Sequence, residues 1–268
     1  MKRGLLAALC AVSLLATACS GPVPGEAIAN AASAAEKQGS MKVFMEISNS
    51  LPTGDFEMTG EGAFDLNAQH GQMTLEPSAS SASAPAAALG AIEMVFTTEA
   101  LYMRTDAFKQ FFPEGKEWMK IDLQAAAQQS GVDLEQLRQL GQGDPSQQLD
   151  YLEAADEVEE VGSEEVRGVE TTHYIATIDL NKVAEQNPEA AESIRKAQGA
   201  TGIDKVPAHV WVDAEGLPRR MSMKMGLGTG GDESSSTTVL MEMFDYGTDV
   251  VIDVPPDRLT LDPSQLQG

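Results

Sequence analysis

Apolar side chains recur at every second position along most of this chain. Met221, Met223 and Met225 alternate with polar residues, and the same period is present from Met41 to Ile47. A period of two is typical of a half-buried strand, because successive side chains of a strand point to opposite faces of its sheet. The pattern therefore predicts a large sheet that carries one apolar face.

About ten strands with this period are predicted between residues 41 and 246, and most follow one another through polar turns. Short connections favour antiparallel neighbours. An alanine-rich segment from Glu26 to Gln38, stopped by Gly39, predicts a first helix. Further helices are expected at 123–141, 144–152 and 181–197, the last with a late start or a kink at Pro188. Strands in series, with helices apart from them, predict an α+β fold.

The first 18 residues have the features of a secretory signal peptide. A basic start precedes an apolar run from Gly4 to Leu15, which is too short to cross a bilayer because a spanning helix needs roughly 20 residues. Small residues then lead to Cys19, an arrangement that resembles a bacterial lipobox, in which the cysteine is acylated and becomes the new N-terminus. We therefore expect Cys19 to carry fatty acyl groups such as palmitate, and residues 19–24 to form a short tether. Secretion with cleavage near Ala18 is the alternative.

The charge of the chain is strongly negative. Asp and Glu number 41 against 18 Lys and Arg, so the formal charge is −23, and it becomes −25 once Lys2 and Arg3 leave with the signal peptide. This balance argues against nucleic-acid binding, which depends on cationic side chains that displace phosphate counterions. Anionic lipid headgroups also repel such a body, so the acyl groups must supply the membrane attachment.

Twelve of the thirteen methionines lie beyond the signal peptide, and most fall on the apolar register of a predicted strand. Methionine is a weaker strand former than Val or Ile, but its flexible thioether recurs on surfaces that fit variable apolar shapes. The pattern predicts either the deformable wall of an apolar cavity or an ordinary core filled with methionine, and the residues alone leave both open. A buried C16 acyl chain would gain on the order of 12 kcal/mol of gross transfer free energy in such a cavity.

Several short motifs occur in an order that is similar to a known family. They are Ser40–Val43 at the first strand, Leu101–Arg104 followed by Trp118–Ile121, Gly168–Tyr174 leading to Ile178 and Asp179, and the hairpin Val210–Arg220. Together with the lipobox and the alanine-rich helix, this order resembles the LppX/LprG-type lipoproteins of actinobacteria, relatives of the LolA/LolB lipoprotein carriers, over about residues 25–255. The segments 77–90 and 228–236 look like local insertions.

The resemblance implies an incompletely closed antiparallel β-barrel, a half-barrel of about ten strands whose concave face is covered by helices. It also implies an apolar cavity that binds the acyl chains of lipids or lipoproteins, and an absence of catalytic residues. It favours the cavity interpretation of the methionine pattern. The family has no fixed ligand-binding motif, so no pocket residue is transferred from it.

Strand register, rather than the family, supplies the candidate ligand-binding residues. Those expected to line the cavity are Met45, Ile47, Phe56, Met58, Phe64, Met94, Phe96, Met103, Met221, Met223, Met225, Met241 and Met243. We expect them to lie in a single lipid-binding domain at residues 25–260, followed by a tail at 261–268.

These inferences predict a lipoprotein that is anchored on the extracytoplasmic face of the cell membrane and binds acyl chains for lipid or lipoprotein transport across the cell envelope. The expected partners are a lipid or acylated ligand, the membrane through the acyl anchor, and a membrane transporter. No nucleic acid, metal or cofactor is expected, and the chain is expected to be a monomer. The alternative is a protein-binding or sensory lipoprotein on the same scaffold, with the cavity collapsed and no lipid cargo.

An enzymatic function is not expected. The sequence contains no G-x-S-x-G, H-E-x-x-H or phosphate-loop motif, although a secreted hydrolase stays a third hypothesis. His173 and His209 are each candidates for a base, but His173 stands within a predicted strand, where a hydrogen-bonded structural role is favoured. The acidic segment 156–170 is interpreted as a solvated hairpin edge, because its carboxylates lack the ordered spacing of a calcium site.

Overall fold

One large sheet and a few short helices make up the described part of the chain. The computed structural model describes residues 24–52, 54–78, 90–130, 155–186, 191–226 and 235–262. The strands are β1 (Ser40–Ser50), β2 (Phe56–Asp65), β3 (His70–Pro77), β4 (Ile92–Phe96), β5 (Ala100–Thr105), β6 (Trp118–Asp122), β7 (Ala155–Val166), β8 (Val169–Asp179), β9 (Lys205–Asp213), β10 (Pro218–Gly226), β11 (Ser236–Phe244) and β12 (Thr260–Leu261). The helices are α1 (Pro24–Glu36), α2 (Asp106–Lys109), α3 (Leu123–Ser130), α4 (Leu180–Gln186) and α5 (Ala191–Thr201), with a 3₁₀ turn at Asp257–Leu259.

All twelve strands belong to a single sheet with the order β12-β6-β5-β4-β3-β2-β1-β11-β10-β9-β8-β7. Every neighbouring pair is antiparallel except β12 and β6, which run parallel. Among the described strands, β12 and β7 end the order without pairing to each other, so the sheet is not closed. The predicted α+β fold with an unclosed antiparallel sheet is confirmed.

The sheet has two strands more than the ten predicted. The acidic segment is the edge strand β7, most of whose described side chains are exposed, so it lacks the alternating apolar pattern of the inner strands. β12 has only two residues, Thr260 and Leu261, which pair with Trp118 and Met119 of β6. Both strands bury too little apolar surface to be recognised by their period.

The first helix, α1, covers one half of the sheet. It contacts β1, β7, β9 and β10, and we call the face on which it lies the inner face. Gly39 follows the helix with φ of +77°, a left-handed conformation that favours glycine, so the predicted stop is where the structure places it. The side chains that α1 buries are Ile28, Ala31, Ala32 and Ala35, whose spacing gives one helical face.

The helix predicted at 181–197 is two helices, α4 and α5, which lie on either side of the segment that contains Pro188. Residues 187–190, between the two helices, lie outside the described residues, so the expected late start or kink at Pro188 stays a prediction. Several predictions fall outside the described residues: the signal peptide, Cys19, the helix at 144–152 and most of both insertions. The same holds for the helix at 123–141 beyond Ser130 and for the end of the tail beyond Asp262.

Two hydrophobic clusters lie on opposite faces of the sheet. The larger one occupies the inner face, where α1 and Val183 of α4 pack over β1, β8, β9, β10 and β11. The smaller one occupies the outer face, where Tyr102 and Trp118 are covered by Ile252 and Leu259 of the C-terminal segment. The second cluster was not predicted, because the segment that covers it is rich in proline and aspartate.

Glycines on β2 and β3 make room for two large side chains of the inner face. Phe64 stands opposite Gly71, and Leu75 stands opposite Gly60. A Cβ atom added at Gly71 would overlap the Phe64 ring, and one added at Gly60 would stand 2.5 Å from Cδ2 of Leu75. Each large side chain therefore occupies the space that its glycine partner leaves free.

Candidate functional site

A row of thioethers crosses the inner face of the sheet. On seven consecutive strands from β11 to β6, the residues that stand opposite one another are Met243, Val43, Gly62, Met73, Met94, Met103 and Met119. We call this set the methionine row. A second series, Met45, Met241 and Met221, runs across β1, β11 and β10. Because cross-strand partners share a face, these side chains form one continuous apolar surface.

All thirteen candidate lining residues lie on this inner face. Each is a cross-strand partner of another inner-face residue or is an even number of positions from one on its own strand. Seven of them are buried: Met45, Phe64, Phe96, Met221, Met223, Met241 and Met243. Five are half-buried, namely Ile47, Phe56, Met58, Met94 and Met103, and Met225 is exposed. Their role as ligand contacts stays a prediction.

Among the described residues, the side chains of the inner face are buried at one end of the strands and more exposed at the other. Along β10 the exposed fraction rises from 2% at Met221 to 9% at Met223 and 38% at Met225. Along β1 the inner-face side chains Met41, Val43 and Met45 are buried, and Ile47 is half-buried. We call the end where β1 and β10 finish, at Ser50 and Gly226, the open end. It is also the end where β5 finishes and β6 begins.

Stacked aromatic rings mark the opposite, closed end. The ring centroids of Phe64 and Phe96 are 6.3 Å apart, with an angle of 27° between the planes. Both side chains are buried, and Phe64 stands opposite Met41 at the start of β1. Among the described residues, this end of the inner face is therefore the more tightly packed one.

Sequence reasoning left several inner-face residues out of the candidate site. Met73 and Met119 belong to the methionine row, and Leu75, Leu101 and Ile121 lie on the same face. Their signal was the same alternation that identified the others. Met119, for example, stands two positions before Ile121 and opposite Met103.

The outer face carries a polar network around Trp211 of β9. His173 of β8 stacks on the indole with centroids 4.1 Å apart and planes at 6°. Its Nε2 atom is 3.0 Å from Nδ1 of His209, a hydrogen-bonding distance. This geometry agrees with the hydrogen-bonded structural role expected for His173. Burial, and then the neighbouring His209, lower the pKa of His173 below its ordinary value.

Ion pairs complete this network at the edge of the sheet. Glu164 of β7 accepts hydrogen bonds from the indole Nε1 of Trp211 at 2.7 Å and from Nη1 of Arg220 at 3.0 Å. The indole bond is the main reason why the pKa of Glu164 is lowered. Arg220 also donates to Glu242 of β11 at 2.8 Å, so strands β7 to β11 are tied together on the outer face.

A second arginine organises the outer face near β5. Arg104 donates to Glu93 and Glu117, and its guanidinium lies 4.7 Å above the ring of Trp118. Two cavities of about 460 and 570 Å³ meet at Glu93 and Arg104. Glu93 and Arg104, which both cavities share, lie on the outer face, and the lining of the first cavity also includes Met73 and Met94 of the methionine row.

Neither face presents a metal centre or a membrane span in the described residues. No group of three or more His, Cys, Asp or Glu side chains within that part of the chain is arranged to hold a metal ion. Within the same ranges, no helix is both long and apolar enough to cross a membrane. The chemistry offered by the inner face is apolar contact, through thioether, aliphatic and aromatic groups.

The fold is shared with solved lipoprotein structures. Lipoprotein LppX of Mycobacterium tuberculosis has a TM-score of 0.50 at 14% identity, and the match covers 87% of this chain and 100% of LppX. LprF from Mycobacterium bovis has a TM-score of 0.52 at 16% identity, over 88% of this chain and 98% of that one. At these identities the likeness shows the fold, and the resemblance to LppX/LprG-type lipoproteins is confirmed at that level.

Sequence comparison adds one curated relative. The chain matches no protein-family model. A 31.2 kDa protein in the rplA-rplJ intergenic region of Streptomyces griseus is 28% identical over 153 residues, which are 55% of this chain. The match covers 48% of that protein, so the chain spans about half the length of the curated relative it matches.

Proposed function

We propose that this protein is a membrane-anchored, extracytoplasmic lipoprotein that binds the acyl chains of a lipid or acylated ligand and carries them across the cell envelope. The observation that carries the proposal is the methionine row, which spans seven strands of an unclosed sheet. Attachment to the membrane rests on acylation of Cys19. The role is one of binding and transfer, without catalysis.

The accessible part of the inner face is the part that suits a ligand. Met58, Met94 and Met103 on β2, β4 and β5 are half-buried, whereas α1 contacts β1, β7, β9 and β10 in the other half of the sheet. An acyl chain laid against these side chains gains about 0.8 kcal/mol per buried CH₂ group. Thioethers adjust their rotamers at low cost, so one surface can accept chains of different length and branching.

A matched pair of substitutions on β2 tests the proposal. Met58 lies on the inner face opposite Ile47, whereas Thr59 lies on the outer face between Glu46 and Glu76. We expect Met58→Lys to weaken binding of a fluorescent fatty-acid probe at least about tenfold, because it places an ammonium group in the path of the chain. Thr59→Lys should leave binding unchanged, because the new ammonium group lies on the outer face, beside the carboxylates of Glu46 and Glu76.

The measurement uses secreted protein carrying Cys19→Ser, with probe titration and lipid extraction for mass spectrometry. Copurified acyl lipids in the parent protein and their loss in Met58→Lys are the expected results. A lipid-free extract together with an absence of probe binding would sink the proposal. Urea unfolding of each variant separates a loss of binding from a loss of fold.

One observation favours the second candidate, a protein-binding or sensory lipoprotein without lipid cargo. Seven of the thirteen candidate residues are buried, and Met221, Met241 and Met243 belong to the hydrophobic core together with residues of α1. An inner face that is packed throughout would leave no room for an acyl chain. Under that candidate, pull-down from membranes recovers one dominant protein partner and lipid extraction recovers nothing.

A further inference from the structure

The loop between β5 and β6 holds a phenylalanine out in solvent. Phe111 is 74% exposed, whereas Phe108 and Phe112 beside it are half-buried with ring centroids 6.5 Å apart. The backbone N–H of Phe111 donates to Phe108 O at 2.9 Å, and that of Phe112 donates to Lys109 O at 3.2 Å. The exposed ring is therefore presented by an ordered helical turn.

The loop is also tied to the rest of the fold. Nζ of Lys116 donates to Asp257 O at 3.0 Å, and the backbone N–H of Glu117 donates to Leu259 O at 2.8 Å. These bonds fix the loop against the C-terminal segment. The exposed position of Phe111 therefore belongs to an ordered turn, which follows β5 and α2 directly and is held on its C-terminal side by these two bonds.

Phe111 lies at the open end, and so do two other exposed apolar side chains. Leu51 follows the last residue of β1, and Met225 stands next to the last residue of β10. Both are 38% exposed, and Ser50 and Gly226 pair with the same residue of β11, Ser236. These three exposed apolar side chains thus lie at the same end of the sheet, the end at which the described inner face is least buried.

We propose that the open end docks on the surface of a lipid bilayer, with Phe111 inserted among the acyl chains and Leu51 and Met225 beside it. The inference rests on the proposed function, because docking there would let an acyl chain pass between the bilayer and the inner face without crossing water. A tether of about five residues, roughly 17 Å when extended, would keep an acylated chain within reach of the bilayer.

The charge of the loop at residues 106–117 favours docking on bilayers of zwitterionic lipid. Within residues 106–117, Lys109 and Lys116 offset two of the three carboxylates, although the whole chain carries −23. Lys109 pairs with Asp106 at 2.7 Å. A nearly neutral loop can approach zwitterionic headgroups, whereas anionic headgroups repel the acidic body behind it. Docking should therefore be stronger on phosphatidylcholine than on phosphatidylglycerol vesicles.

Two variants that each add one tryptophan test the docking in the Cys19→Ser background. Phe111→Trp places an indole at the open end, and Val251→Trp places one at a matched position, 73% exposed, on the C-terminal segment. Vesicles of phosphatidylcholine with brominated acyl chains should quench the indole at 111 and shift its emission to the blue. They should leave the indole at 251 unchanged, after subtraction of the two native tryptophans.

A charge at the same position supplies the second measurement. Phe111→Asp should weaken co-sedimentation with phosphatidylcholine vesicles about tenfold or more, because it replaces an apolar ring by a carboxylate. Its unfolding midpoint in urea should match that of the parent, since the native ring is exposed. Equal quenching of the indoles at 111 and 251 would overturn the proposal. So would co-sedimentation that is unchanged in Phe111→Asp, and the loop would then be assigned to a protein partner instead.

Probe binding in the absence of vesicles separates the two proposals. Phe111→Asp should bind a soluble fatty-acid probe as the parent does, because Phe111 lies outside the inner face. If the parent binds no probe while the indole at 111 is quenched, docking stands and lipid carriage fails. If Phe111→Asp loses probe binding in free solution, Phe111 belongs to the binding site and the docking role is overturned.

Discussion

Single glycines decide how the inner face is shaped. Gly60 and Gly71 carry no side chain, and Leu75 and Phe64 occupy the space above them. The alternation pattern could place Gly60 on the apolar register, but it could not say which side chain fills the gap. That depends on the cross-strand register of β2 and β3, which is set by the whole sheet rather than by either strand.

Gly71→Ala should destabilise the fold by about 1–3 kcal/mol, because the added methyl group overlaps the Phe64 ring in a packed core. Gly199→Ala is the control: apart from its two chain neighbours and the nearby backbone of α5, no atom lies within 4 Å of an added Cβ, so stability should hold or rise by up to about 1 kcal/mol. Urea unfolding measures both variants. If the clash is the cause, Phe64→Leu in the Gly71→Ala background restores part of the loss; a simple sum of the two single effects would contradict this explanation.

At the level of elements, the strands with a regular apolar alternation could be predicted from the sequence, but the edge strand β7 could not. The strands from β1 to β6 and from β8 to β11 follow from their period, and α1 follows from its alanine content and Gly39. The edge strand β7 shows no such period, because its side chains face water and it is held by Glu164 and backbone pairing instead. The contacts of Trp211 and Arg220 with Glu164 join residues 47 and 56 positions apart, which no local pattern reports.

The pairing of β8 and β9 should respond to pH through His173. Its pKa is lowered by burial and by His209, while Glu164 raises it and Arg220 lowers it. The unfolded chain therefore takes up a proton more readily than the folded chain as the pH falls below the ordinary histidine pKa of about 6.5. Stability attributable to His173 is complete above that value and is lost as the pH falls towards the pKa of the folded state.

The expected outcome is a lower free energy of unfolding at pH 5.5 than at pH 7.5, and a smaller difference in His173→Gln. His70→Gln, on β3, serves as the control for replacing a histidine that lies far from His173 and His209 in the strand order. Urea titrations at the two pH values provide the measurement. An identical pH dependence in the parent and in His173→Gln would show that protonation of His173 does not contribute to the pH dependence of stability.

At the scale of the whole molecule, the apolar alternation along the strands predicted which face of the sheet is apolar, but it did not predict how much of that face is covered by other parts of the chain. Side chains such as Met221 and Met241 are buried because α1 lies over their half of the sheet, whereas Met94 and Met103 are half-buried. Helix docking is a long-range event, since α1 and β10 are almost two hundred residues apart in the chain. The open end therefore emerged only from the structure, while the candidate residues themselves were found by register.

The remaining prediction concerns what holds the whole molecule at the membrane. If Cys19 is acylated, two or more acyl chains hold a body of formal charge near −25 against headgroup repulsion, and Phe111 adds only a weak contact. The native chain should then stay in the membrane fraction through a wash with about 1 M salt and leave it only in detergent, because salt screens charge but does not weaken acyl insertion. Cys19→Ser should move the protein to the soluble extracytoplasmic fraction, whereas Ser20→Ala should behave as the native chain. Cys19→Ser protein that still sediments with membranes after the wash would show that the anchor lies elsewhere in the chain.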